Sequence, residues 1–264
     1  MTTTPERRKA AREDIARALQ SRNHAYAIHY VGGGFTTPGA RVTAIAARNL
    51  GTGVTESFEI EPHLRAWGIN PVQATEGDLD RAERRMLDSF YAFVRQHPGY
   101  VWLHWNMRNS TFGFLALDNR QRALGGRRVQ IPEGQRVDLA ARLIDIYGDS
   151  YADPLNRLKS VAMKNGLALA HLVDGPDQAG AIEKRDFAAA TRSLHNRIDV
   201  MYALATKAHE QTLKTQAPFA DRVAATGGLI KWAKEHPVVT AFAIASPVLG
   251  AVVGTMKLWS TLMN

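Results

Sequence analysis

Two turn signals, Pro38-Gly39 and Gly51-Thr52-Gly53, divide the stretch from His24 to Ile60 into three short runs: HAYAIHYVGGGF, the run inside TPGARVTAIAARNLGTG, and TESFEI. Each run is rich in the branched and aromatic residues that suit a pleated surface. Turns this short join antiparallel neighbours, because a parallel return needs a long crossover. The expectation is a three-stranded meander, with Gly32-Gly33-Gly34 read as a tight turn, since no helix follows it to aim amides at a phosphate.

After the meander the period changes. Thr75-Glu76-Gly77-Asp78 reads as a capping-box start, and Leu79, Ala82, Met86, Leu87, Phe90 and Val94 recur at three- and four-residue spacing as far as His97-Pro98-Gly99. YVWLHWNM then reads as a strand and TFGFLALDNRQRAL as a second helix. RRVQIPE is the candidate for a fifth strand. VDLAARLIDIYG is read as helix, with Leu139, Leu143 and Ile146 on one side.

From Asp153 onward no strand is evident. PLNRLKSVAMKNGLALAHLV and DFAAATRSLHNRIDVMYALATKAHEQTL carry helical periodicity, the second with a stripe of Phe187, Thr191, Leu194, Ile198, Met201 and Ala205. The expected class is therefore α/β: a mixed sheet of three antiparallel strands, then helix, strand and helix, followed by a helical region and a C-terminal hydrophobic helix. The expected segments are a basic N-terminal helix over 1–23, with Ile15 and Leu19 on its apolar side, an α/β domain over 24–150, a helical region over 151–214, a linker over 215–236 and a candidate transmembrane helix over 237–259.

That last segment contains twenty residues, Pro237 to Met256, without a charge, and a helix of that length spans roughly 30 Å of hydrocarbon. Lys231, Trp232 and Lys234 precede it and Lys257 and Trp259 follow, as anchors do, and Gly250 and Gly254 allow close self-association in lipid. Pro247 interrupts it, so a broken core helix is the alternative, with a soluble cytoplasmic protein as its consequence. If it is an anchor, the basic flank favours a body on the cytoplasmic side. The chain has no cysteine, which excludes disulfides and thiolate metal sites and suits a reducing compartment. Its formal net charge of +8 favours polyanions, nucleic acid or an anionic leaflet, as partners.

The order of elements from Ala25 to Gly148 resembles the RNase H-like fold, in particular its DEDD-type exonuclease branch. LHWNMRNSTFGF looks like that family's segment in which a His-Asn strand end opens a helix, and VDLAARL like its later strand-to-helix passage. The resemblance implies a 3'-5' exonuclease-like site in which carboxylates clamp two magnesium ions. HAYAIHYV, however, has no acid where Asp-x-Glu is implied, and Met107 to Gly113 has none either. The candidates left are Asp138, with Asp145 or Asp149 near it, joined by Glu59 and Glu61, and the polar pair His104 and Asn106. On a continuous strand Trp102, His104 and Asn106 share one face, with His104 and Asn106 expected to bond each other and order the turn.

No histidine has a metal-ligand spacing. His24, His29 and His104 read as core or rim groups, and Arg192 and His195 as a solvated helix face. Arg120, Arg122, Arg127 and Arg128 gather around Gly125-Gly126 and are the candidate phosphate contacts. The expected function is a membrane-anchored, non-catalytic binding or scaffolding protein whose partner is nucleic acid or another protein. It has no resident metal or cofactor. The alternatives are a divergent magnesium-dependent nuclease and an effector acting through its C-terminal helix.

Overall fold

The computed structural model of the chain describes residues 4–33, 40–108, 110–173 and 175–217. The chain divides into two units at Ala217 and Pro218, and the fold described is that of the first. The expected membrane helix over 237–259, Gly250, Gly254 and most of the linker lie outside the described residues. Among the described residues no helix is long and apolar enough to cross a membrane.

The fold is α/β, with five strands and eight helices among the described residues. β1 (Ala25–Gly32), β2 (Val42–Asn49) and β3 (Thr55–Glu59) form the antiparallel meander. The β2–β3 turn is built by Asn49, whose Oδ1 accepts from the Gly51 and Thr52 amides at 2.9 and 3.0 Å, while Gly53 takes the left-handed φ of 73°. α2 (Ile60–Ala66) and α3 (Glu76–Gln96) supply the crossover that brings β4 (Val101–His104) parallel to β1, and α4 (Phe114–Ala123) does the same for β5 (Arg136–Asp138). The sheet order is β3-β2-β1-β4-β5. α5 (Leu139–Tyr147), α6 (Arg157–Lys164), α7 (Gly175–Glu183) and α8 (Phe187–His209) complete this unit, with α1 (Pro5–Gln20) at its start.

Strand alternation divides the core in two. Tyr26, Ile28 and Tyr30 of β1, Ile45 of β2 and Trp102 of β4 meet Leu79, Met86, Leu87 and Phe90 of α3. The other face of β1 and β2 carries Ala25, Ala27, Ala44 and Ala46, all buried. Such short side chains let α8 lie close on β1 and β2, and α1 packs on α5 and α8 beside it, burying Ile15 and Leu19. The edge of that face is polar: Glu59 accepts from Thr191, Ser57 bonds His195 Nε2 at 2.6 Å, and Arg48 pairs with Asp199 at 3.0 Å. These three α8 residues recur every four positions, so the seam fixes the helix in register. His195 is therefore a half-buried partner of Ser57 and not part of a solvated face, although Arg192 is exposed.

Several elements depart from expectation. RRVQIPE forms no strand: the fifth strand falls on Arg136–Asp138, where Val137 pairs with Leu103 of β4, and only Ile131 of the earlier run is buried. VDLAARL passes from strand to helix, as the likeness implied, with its first two residues in β5 and the rest in α5, so only the reading of VDLAARLIDIYG as helix throughout is corrected. α6 stops at Lys164 and does not run on through LALAHLV. Gly166 adopts φ 66° and the Leu167 amide reaches back to the Ala162 carbonyl, a left-handed helix stop. α2 was not expected, and α7 falls within the expected helical region without having been read as a separate helix.

Candidate functional site

β1, β4 and β5 run parallel, so their C-terminal ends share one edge of the sheet, the edge where α/β sheets open toward ligands. Register places His104 of β4 level with Asp138 of β5, and Arg136 stands two residues before Asp138 on the same face. Three of the candidates, His104, Asn106 and Asp138, are thereby brought together.

They meet differently from the arrangement expected on a continuous strand. β4 ends at His104, and Asn106 takes φ 56°, a left-handed conformation that asparagine tolerates better than most residues. The chain turns there, so Met107 joins the same apolar cluster as Trp102 and does not face away from it. His104 and Asn106 do not bond each other. Instead the Met107 amide donates to His104 Nδ1 at 3.3 Å, and the Asn106 amide donates to Asp138 Oδ1 at 3.0 Å. Arg108 closes the loop, donating to Asn106 Oδ1 at 2.7 Å and pairing through Nε with Asp138 Oδ2 at 2.7 Å. Asp138 Oδ1 also accepts from the Ala140 and Ala141 amides, making it the N-cap of α5.

A cleft of about 430 Å³ opens beside this turn, bounded by His104, Arg108, Glu133, Arg136, Asp138 and Arg142, with Phe114 on its apolar side. Burial lowers the pKa of His104 to about 4. Arg136, Arg108 and Arg142 push in the same direction and Asp138 opposes them. The ring is neutral at pH 7, and with Nδ1 accepting from Met107 its proton sits on Nε2. It meets Phe114 edge to face at 5.2 Å. Arg136 donates to the Ile131 carbonyl and stacks 4.7 Å from the Phe114 ring centre. Arg142 pairs with Asp14 at 2.8 Å and Asp145 at 3.0 Å.

The remaining acidic candidates lie elsewhere. Glu59 ends β3, at the opposite edge of the sheet from Asp138. Four interstrand spacings separate the two, ~19 Å at ~4.8 Å each. Glu59 is held by Thr191, and Glu61, in α2, by Arg65. Neither can share a pair of ions a few ångströms apart with Asp138, which corrects that grouping. Among the described residues no three His, Asp or Glu side chains are placed to hold a metal. The histidines do not converge either. His24 packs on Tyr100 at 5.2 Å, and buried His29 donates from Nδ1 to its neighbour's carbonyl, that of Tyr30, at 3.0 Å. Burial, then Arg197, drives the His29 pKa well below its usual value.

The arginine cluster also divides. Arg120 is not available to phosphate: it donates to both oxygens of Glu83, which is 0 % exposed, and to Asp80, so that it locks α4 to α3. Arg122 bonds Asn119 and Arg128 pairs with Asp118 at 3.2 Å, both at the surface, and Arg127 is exposed. Sequence reasoning missed Arg108, Arg136 and Arg142. Their only signal was proximity to Asn106 and Asp138, and that becomes meaningful only once the β4–β5 register is known.

Compared with protein-family models, with curated proteins and with solved structures, the chain matches none.

Proposed function

We propose that this chain is a non-catalytic member of the RNase H-like fold. It binds single-stranded nucleic acid or a similar polyanion through its basic surface and is tethered to the cytoplasmic side of a membrane by residues 237–259. Three antiparallel strands continued by two parallel ones, with helices between, agree with the resemblance. One observation carries the non-catalytic reading. Asp138, the acid at the shared edge of the parallel strands, is occupied as a structural group by three amides and Arg108. β1, separated from β5 by β4, carries no carboxylate. The magnesium-dependent alternative through Glu59 or Glu61 is not carried forward, because the sheet order separates those residues from Asp138.

The test is a cleavage and binding assay of the full-length chain with single-stranded DNA and RNA, in magnesium and in manganese. Expected are intact strands and an affinity that falls steeply with salt. A log–log slope of about −2 to −3 corresponds to three or four phosphate contacts on a single strand. A flat salt dependence would point to a protein partner. Cleavage abolished by Asp138→Ala would overturn the non-catalytic reading.

A further inference from the structure

Two polar groups line the cleft beyond β4 and β5. His104, 3 % exposed, gives Nδ1 to the Met107 amide, and its Nε2–H has no partner among the described residues. Arg136 is half-buried and holds its charge against one carbonyl oxygen and the face of Phe114, with no carboxylate in ion-pair reach among the described residues. A guanidinium removed from water without a counter-charge is costly, and a bound anion offsets that cost. Arg108, 54 % exposed, and Arg142 stand beside it with partners of their own. Arg108 is paired with Asp138 and Arg142 with Asp14 and Asp145, so among the described residues Arg136 is the guanidinium of the lining without an ion pair.

The donors approach from separate elements, His104 from the end of β4 and Arg136 from β5, with the half-exposed Arg108 of the turn beside them. A planar carboxylate presents two oxygens in one plane. A phosphate monoester presents three at tetrahedral directions and carries more charge, so it matches donors arriving from several sides. A volume of about 430 Å³ admits a small organic molecule attached to that group. We infer that this cleft binds a phosphate monoester, its oxygens accepting from His104 Nε2–H and Arg136. The inference rests on the polyanion-binding reading above and sharpens it to one site. The same phosphate chemistry comes from the terminal phosphate of a nucleic-acid strand or from a free organic phosphate.

The experiment uses the full-length chain with ring-labelled histidine, the His104 resonance being assigned by its loss in His104→Gln. Inorganic phosphate and glycerol phosphate are titrated, followed by an oligonucleotide with and without a 5'-phosphate. Expected is a saturable shift of the His104 signal, and a rise of its titration midpoint by about one pH unit at saturation, a tenfold coupling. Arg136→Gln should weaken phosphate binding at least tenfold, Arg136→Lys less, and Arg95→Gln on the exposed end of α3 not at all. The lysine variant retains a readable protein if the glutamine variant fails to fold. Tighter binding of the phosphorylated oligonucleotide than of its unphosphorylated form assigns the strand end as source; equal binding, with glycerol phosphate saturating the site, assigns a free organic phosphate. No saturable shift with any phosphate, or one unchanged in Arg136→Gln, overturns the inference. If salt-sensitive binding of the unphosphorylated strand persists in that case, the polyanion reading stands without this site.

Discussion

His104 shows how a single side chain couples burial to acid stability. Its folded pKa, about 4, lies below the unfolded value near 6.5. Between those two pH values the unfolded chain binds the extra proton. Stability from this group is therefore full above about 6.5 and is lost as pH falls toward 4, by on the order of 3 kcal/mol. His29, held well below its usual value by burial and then by Arg197, acts in the same direction. Urea midpoints measured between pH 7.5 and 4.5 should fall, and His104→Gln should flatten that fall while lowering the neutral-pH midpoint. An unchanged acid slope in the variant would contradict the assignment. Asp138 gives a second residue-scale expectation. Asp138→Ala removes a helix cap and leaves the Asn106 amide unpaired, for a loss of about 2–4 kcal/mol. Asp138→Asn keeps an acceptor oxygen and should cost about half as much in thermal or urea unfolding.

At the scale of elements, the clamp between α3 and α4 is the most exposed to a single change. Glu83 accepts from Arg120 and from the Val42 amide, and burial, opposed by Arg120, the Val42 amide and Arg41, holds its carboxyl above the usual range. Arg120→Met leaves that carboxylate without its main partner and should destabilise by about 3–5 kcal/mol, whereas Arg120→Met with Glu83→Met should recover most of the loss. Additive losses in the double variant would show that the two side chains do not act as a pair. This clamp was not legible in the sequence, because Arg120 and Glu83 lie on separate helices and nothing local links them. The long helices were legible: the stripes Leu79 to Val94 and Phe187 to Ala205 are buried as their spacing predicts. α2 was missed because it is seven residues long and contains Pro62. The fifth strand was placed too early, on RRVQIPE, because three residues give no period and Asp138 serves as strand end and helix cap at once. At the cleft, the polar character of His104 and Asn106 could be read in advance. Their geometry could not, since it depends on the left-handed turn at Asn106.

At the scale of the whole molecule, the positive excess of the chain is spent unevenly. Arg41, Arg120 and Arg142 are committed to carboxylates, and Arg108 and Arg128 each pair with one at the surface, while Arg122 and Arg127 are exposed and Arg136 lines the cleft. A basic surface without converging carboxylates among the described residues is the physical basis of the proposal that the chain holds polyanions and does not cut them. The membrane tether is a separate proposal, tested by carbonate extraction of the full chain, which should leave it in the membrane pellet; extraction into the supernatant would contradict it. The binding claim is tested most directly by one time course: an end-labelled single strand with the full-length chain and manganese, followed at low and at high salt. The account predicts a strand that is bound at low salt, released at high salt and unshortened throughout. A strand progressively shortened by the wild-type chain, and left intact by Asp138→Asn, would contradict it.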